Sequence, residues 1–186
     1  VLSQDWKKFA RQEVVLAQSI HFVLSHHTVF ADLDERRQFF TALAMAIRAR
    51  QMGRAHVVVV ICFWMLGHDG FRDPRRLGLN TLDMDTFRIH FYRCLLTSLA
   101  NLYVDPVYLW QVLQTLTSSL TANGSLKLLS NRIVLALTEM ELFVRYGLFC
   151  EAKGIFDSYT RARSVPRCSQ FWTDLVQLKL KAAAVD

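Results

Sequence analysis

The stretch YGLFCEAKGIFDSYTRA, residues 146–162, decides how the end of the chain folds. Gly147 stands where a left-handed backbone costs glycine little, so it marks a turn between two helices. Ala152 and Phe156 follow four residues apart, on one face of the second helix. The small residue lets a paired helix approach closely, and the aromatic ring fills the groove beside it. The pattern predicts a hairpin of two helices that packs against similar hairpins.

The residues after this hairpin predict the end of its second helix and the start of another helix. Pro166 ends the second helix, because proline cannot continue a helix, and Trp172 begins the packing face of the next one. The same order occurs earlier in DPVYLWQVL, at Pro106 and Trp110. Trp110 and Trp172 are 62 residues apart, close to two repeats of roughly 34 residues each. The spacing therefore favours a repeated helical unit.

This order of residues resembles tetratricopeptide-type repeats and, more closely, half-a-tetratricopeptide (HAT) repeats. The HAT pattern has Trp, a later aromatic and Glu on its first helix, then Gly at the turn, Ala-Arg, an aliphatic-Phe pair and Pro before the next Trp. The matching positions are Gly147, Ala152-Lys153, Ile155-Phe156, Pro166 and Trp172, while DWKKFARQE supplies Trp6, Phe9 and Glu13. The resemblance covers about residues 139–178 and is weak elsewhere; the helix before Gly147 lacks the expected Trp.

Apolar residues at helical spacing continue through the rest of the chain. The segment VVVVICFW suits a buried strand as well as a helix, and helix is preferred because its neighbours are helical and no partner strand is visible. The predicted helices cover about residues 6–24, 32–52, 57–66, 87–104, 106–122, 126–146, 149–163 and 169–186. The fourth is expected to be capped by Asp83 or Asp85, and the fifth by Asp105 with Pro106 at its first position.

The predicted fold is therefore one all-α domain over residues 1–186, with about eight helices in antiparallel hairpins stacked as a short solenoid. A compact helical bundle is the alternative. Residues 68–86 are predicted to form one long irregular loop that can hold a short helical turn, and a loop of this length is often functional. Five apolar residues of this loop are expected to fold onto the core, and covering a partner's surface is the alternative. They are Phe71, Leu77, Leu79, Leu82 and Met84.

Composition supports a folded chain. Its 186 residues are 52% hydrophobic and 20% charged, enough apolar surface for a core. The longest apolar run, residues 57–67, is far short of the roughly 20 residues of a membrane-spanning helix. Charges at the first residues do not fit a signal peptide, although a first residue of Val is compatible with a fragment. No membrane contact is expected.

The four cysteines indicate a reducing compartment. Cys62, Cys94, Cys150 and Cys168 form no CxxC pair, and three of them lie in apolar helical segments. Free thiols inside a cell are the expected state, since a zinc site needs closely paired ligands. We therefore expect an intracellular protein.

No motif in the sequence predicts catalysis, a metal or a cofactor. None of GxGxxG, GxxxxGKS, HExxH or GxSxG occurs. The adjacent His26 and His27 would point about 100° apart on a helix, so they converge poorly on one metal. Glu139 and Glu141 are two residues apart and face different sides of their helix. We expect no enzyme, no cofactor and no small-molecule substrate.

Arginine clusters are the clearest hint of a binding surface. The chain has a formal charge of +6, and arginine suits phosphate and carboxylate partners. Each cluster lies at a helix end or in a loop, where positive charge also stabilises helix C-termini. The candidate contacts are Arg48, Arg50, Arg54, Arg72, Arg75, Arg76, Arg161, Arg163 and Arg167.

Two functions rank first among those compatible with the sequence, ahead of a viral or organellar structural subunit, which would self-associate stably, and of an enzyme. The favoured hypothesis is a non-catalytic helical-repeat scaffold that binds other protein subunits of a complex. The HAT resemblance implies an RNA-processing or ribonucleoprotein assembly and a nuclear location. The alternative is a helical domain that binds RNA or DNA directly through the arginine clusters. Direct binding would fall steeply with salt, whereas an apolar protein interface would respond weakly.

Overall fold

The computed structural model describes residues 2–26 and 28–161, and the predicted all-α class is confirmed there: no strand occurs in these ranges. The helices are α1 Leu2–His26, α2 Thr28–Ala31, α3 Glu35–Gln51, α4 Ala55–Leu66, α5 Asp69–Arg72, α6 Thr81–Asn101, α7 Pro106–Ala122, α8 Leu129–Arg145 and α9 Phe149–Arg161. Two short 3₁₀ turns, Pro74–Leu77 and Ser125–Lys127, lie between them. The helix predicted from residue 169 lies outside the described residues, as do Pro166 and Trp172.

Helix α4 settles the ambiguous apolar run VVVVICFW. It is helical, and Val58, Ile61, Cys62 and Met65 on one of its faces are completely buried. These positions follow the three-to-four residue period of a helix, and α4 as a whole contacts α1, α3 and α6. Tertiary packing therefore overrides the β-branched preference for strand.

Helix caps agree with the prediction at α7 and not at α6. The Asp105 side chain accepts a hydrogen bond of 2.8 Å from the Val107 backbone N–H, as expected for the residue before α7. For α6, the predicted caps Asp83 and Asp85 are wrong, because the helix begins earlier, at Thr81. Asn80 is the cap and accepts from the Asp83 N–H at 2.8 Å.

The long irregular loop predicted at residues 68–86 is wrong, whereas a short helical turn is present there as expected. Helix α5 and a 3₁₀ turn occupy its first half, residues 78–80 connect, and α6 takes up residues 81–86. The backbone N–H of Gly70 donates to the Glu35 carboxylate at 2.9 Å, which ties α5 to α3. The expected core contact is confirmed for four of the apolar residues, Phe71, Leu77, Leu79 and Met84, whereas Leu82 is 41% exposed. Burial of these side chains orders a segment that has loop-like composition.

The start of α8 differs from the prediction in the same way. Residues 126–128 were expected to be helical, but Ser125–Lys127 forms a separate 3₁₀ turn and α8 begins at Leu129. The turn is tied to α6 by the buried Asp85 carboxylate. This group accepts hydrogen bonds from Asn123 at 2.9 Å and from Ser125 at 2.5 Å.

Helix α6 lies at the centre of the packing. It contacts α3 and α4 on one side and α7 and α8 on another, while α1 packs on α4 and α9 packs on α8. One core cluster, with Phe39 and Phe91 at full burial, joins α3, α4 and α6. A second, with Leu109 and Leu142, joins α6, α7 and α8. The second cluster forms the base of the site described below.

The turn between α8 and α9 confirms the backbone predicted for Gly147, whose φ is 76°. We expect Gly147→Ala to lower the free energy of unfolding by about 1 kcal/mol, because alanine is strained at positive φ. Gly154→Ala is the matched control. Gly154 lies inside α9, and a Cβ there meets nothing within 4 Å among the described residues. It should raise the free energy of unfolding by up to about 1 kcal/mol.

Urea denaturation of the two variants and the wild-type protein measures these changes. Opposite signs are the expected result. Destabilisation by Gly154→Ala would show that this face of α9 is covered in solution.

Candidate functional site

A groove of about 810 Å³ runs between α7 and the C-terminal end of α8. We call it the α7–α8 groove. It is lined by Pro106, Val107, Trp110, Gln111, Gln114, Thr115, Leu142, Phe143, Tyr146 and Leu148. None of these side chains carries a formal charge. A groove of this volume and composition suits apolar side chains of another molecule.

The wall formed by α7 is unusual in having no charged residue on any face. No Asp, Glu, Lys or Arg occurs between Asp105 and Lys127. The core-facing side is made of leucines, but Val107 and Tyr108 are 62% and 55% exposed. Loss of charge together with exposed aromatic and apolar residues is the compositional sign of a protein interface.

Helix α8 forms the other wall. The Phe143 ring packs on Trp110 with ring centroids 4.5 Å apart. One turn further along, the Tyr146 hydroxyl donates to the Val104 backbone oxygen at 2.5 Å, which fixes its ring. These contacts hold the groove's aromatic side chains in place, so the groove is formed before any partner arrives.

Glu139 lies on the same face of α8 as Phe143 and Tyr146, four and seven residues before them. Its side chain is half-buried, and it makes no hydrogen bond or ion pair with any residue that the structure describes. Burial raises the pKa of the Glu139 carboxyl, since desolvation disfavours the charged form. A partly desolvated carboxylate therefore lies next to the uncharged groove, one turn of α8 before Phe143.

Glu141, on the same helix, is paired with two arginines, unlike Glu139. Arg50 of α3 donates to one of its oxygens at 2.9 Å, and Arg93 of α6 donates to the other at 2.7 Å. The three side chains are 17–24% exposed. This cluster joins α3, α6 and α8, and its charge-assisted hydrogen bonds hold the three helices together.

The predicted arginine contacts have different surroundings in the structure. Arg50 is held by Glu141, and Arg76 donates to Asp69 at 2.7 Å. Arg48 donates to the Gln51 side-chain oxygen at 3.4 Å. The exposed Arg72 ends α5, and the exposed Arg75 lies within the 3₁₀ turn Pro74–Leu77. Arg54 is half-buried and has a contact of its own. The Arg161 side chain, Arg163 and Arg167 lie outside the described residues.

The predicted repeat-packing residues are distributed between the groove and the hairpin. Trp110 lies in the groove, and Ala152 and Phe156 are buried where α9 packs on α8. Trp6 and Phe9 belong to the part of α1 whose side chains the structure does not describe. Pro166 and Trp172 lie beyond Arg161.

Cys62 and Cys94 are buried free thiols, and Cys150 is exposed. Burial raises the pKa of the Cys62 and Cys94 thiols, since desolvation disfavours the charged thiolate. Cys168 lies outside the described residues. Within the described chain, no three His, Cys, Asp or Glu side chains are grouped to hold a metal. None of the helices there combines the length and apolarity needed to cross a membrane.

Comparison with known proteins adds no relative: no protein-family model, curated protein or solved structure matches the chain significantly. The candidate site therefore rests on the chemistry of its own residues. Sequence analysis singled out Trp110 but missed Val107, Phe143 and Tyr146. The uncharged stretch of residues 106–126 was the available signal, because half of any surface helix normally carries charged or strongly polar residues.

Glu139→Gln should stabilise the protein relative to the wild type at neutral pH. The folded-state pKa of Glu139 is raised, so folding disfavours its ionised form. Wild-type stability is therefore unaffected by this group below the normal carboxyl range and falls as pH rises through that range. The difference in free energy of unfolding between variant and wild type is measured by urea denaturation from about pH 3.5, roughly one unit below the ordinary glutamate pKa, to about pH 7, well above it. This difference should grow with pH. A difference in free energy of unfolding that stays constant with pH would contradict this prediction.

Glu141→Ala should lower the free energy of unfolding by about 2 kcal/mol, because it leaves two partly buried guanidinium groups without their carboxylate. The control is Asp69→Ala, which removes the exposed partner of Arg76 and should cost less than about 0.5 kcal/mol. Asp69 is 73% exposed at its side chain, against 22% for Glu141. Equal changes in the urea midpoint would rule out a packing role for the Glu141 cluster.

Proposed function

We propose that the protein is a non-catalytic helical scaffold that binds other proteins through the α7–α8 groove. One observation carries this proposal: an open, uncharged groove lined mainly by aromatic and apolar side chains, one wall of which is a helix α7 without any charged residue. Interface centres are depleted of charge and enriched in Trp, Tyr and Phe. Trp110, Phe143 and Tyr146 supply these anchors.

The arrangement of the C-terminal half supports a short solenoid. Helices α6 and α7 form one antiparallel pair and α8 and α9 form the next, with α6 packed against α8. Equivalent helices of successive hairpins pack on one another in this way in helical-repeat proteins. We propose stacked hairpins over this half; a compact bundle is the alternative architecture.

The HAT resemblance of residues 139–178 supports a more specific proposal. It suggests that the partner proteins belong to an RNA-processing or ribonucleoprotein assembly in the nucleus. In the second candidate function, the exposed Arg72 and Arg75 bind nucleic acid directly. The first function depends on the groove and resists salt, whereas the second depends on these arginines and is lost as salt rises.

Affinity capture with the groove variant Val107→Asp tests the scaffold proposal. Val107 is 62% exposed and lies in the first turn of α7, where an acidic residue is compatible with the helix dipole. Val15→Asp is the matched control, since Val15 is 60% exposed and lies on α1. We expect Val107→Asp to lose about tenfold or more of specifically bound protein, and Val15→Asp to lose none.

The capture is repeated with nuclease and at two salt concentrations. Binding that survives both treatments and depends on Val107 supports the scaffold. Binding that vanishes with nuclease or modest salt, and is lost in Arg72→Ala/Arg75→Ala but not in Val107→Asp, would replace the scaffold by direct nucleic-acid binding.

A further inference from the structure

The α7–α8 groove is long enough to hold a short helix. Its α7 wall extends from Pro106 to Thr115, which is about 14 Å at the rise of an α-helix. That length matches two to three helical turns. A partner helix in such a groove places apolar side chains at positions i, i+4 and i+7.

The groove has two chemically different ends. Trp110 packs on Phe143, and Pro106 lines the groove together with Tyr146, so α7 and α8 run in opposite directions along it. Thr115 therefore marks the end towards the start of α8. Glu139 lies on that side, one turn before Phe143 on the groove-facing side of α8.

Glu139 adds a charge requirement to the shape requirement. Its half-buried carboxylate has no partner in the described chain. A helix that covered the groove would remove more water from this group, and an unpaired buried carboxylate is strongly unfavourable. An ammonium or guanidinium group on the incoming helix would remove that cost and add a charge-assisted hydrogen bond.

Resting on the proposed scaffold function, we infer that the groove's occupant is an amphipathic helix of a partner protein. This helix has an uncharged apolar face and a Lys or Arg at the end that meets Glu139. The apolar face fills the space between Trp110 and Tyr146. The lining residues carry no charge. Near the other end of the groove, the Asp105 carboxylate already caps α7, and the Arg145 guanidinium lies close to Tyr146. The basic residue therefore favours the end at Glu139 and fixes which way round the helix lies.

The test is selection of helical peptides on the full-length chain. A phage library of 18-residue peptides is selected on the wild-type protein and counter-selected on Val107→Asp. We expect enriched sequences with apolar residues at i, i+4 and i+7 and a Lys or Arg one turn beyond one end. A synthetic peptide of the most enriched sequence is then titrated against the variants by fluorescence polarisation.

Charge reversal tests the role of Glu139. Glu139→Lys should weaken peptide binding about tenfold, equivalent to one charge pair, and changing the peptide's basic residue to Glu should restore it. Glu139→Gln, which keeps the side-chain shape, should show the loss without repulsion. Val15→Asp should bind the peptide as the wild type does. Thermal unfolding followed by circular dichroism checks that each variant is folded.

Several outcomes would overturn this inference. They are the absence of enriched peptides, peptides without a basic end, equal binding to Val107→Asp, and an unchanged dissociation constant in Glu139→Lys. Displacement of the selected peptide by a peptide of residues 169–186 would make the occupant a segment of the same chain. A dimer that Val107→Asp dissociates would make it a second copy. Loss of capture in Val107→Asp without any effect of Glu139→Lys would keep the scaffold and reject the basic helix.

Discussion

The burial of α6 on all its sides is the constraint on which the structure depends. Eleven of its residues are buried, and they are spread around the helix instead of forming one stripe. A helix of this kind must be surrounded by others. Helices α3 and α4 cover one side, and α7 and α8 cover the other. The α7–α8 groove lies between these last two helices, which both pack on α6.

A polar network fixes the connection between those two helices. The buried Asp85 of α6 accepts hydrogen bonds from Asn123 and Ser125 in the turn after α7. Asn131 of α8 donates to the Ser125 backbone oxygen at 3.1 Å. Since each buried polar group here has a partner, the network specifies one position for the turn. It thereby sets where α8 begins relative to α7.

Features that depend on local chemistry were predictable from the sequence. Asp105 with Pro106 began α7, and Gly147 took the left-handed turn, because capping and positive φ are properties of a few adjacent residues. Prediction from the sequence failed at residues 68–86, where order comes from burying Phe71 and Leu77 against distant helices. The groove was only partly predictable: Trp110 stood out by residue type, whereas Phe143 and Tyr146 matter through their position opposite α7.

The two carboxylates of α8 have different roles: Glu141 serves the packing of the fold, and Glu139 serves the proposed binding of a partner. Glu139 and Glu141 are two residues apart, so they face different sides of the helix. Glu141 meets Arg50 and Arg93, and its charge is neutralised within the fold. Glu139 meets no basic group in the described chain and stands beside an uncharged aromatic groove. The described part of the chain supplies two arginines to Glu141 and none to Glu139, and a basic partner helix would give Glu139 the pairing that the fold gives Glu141.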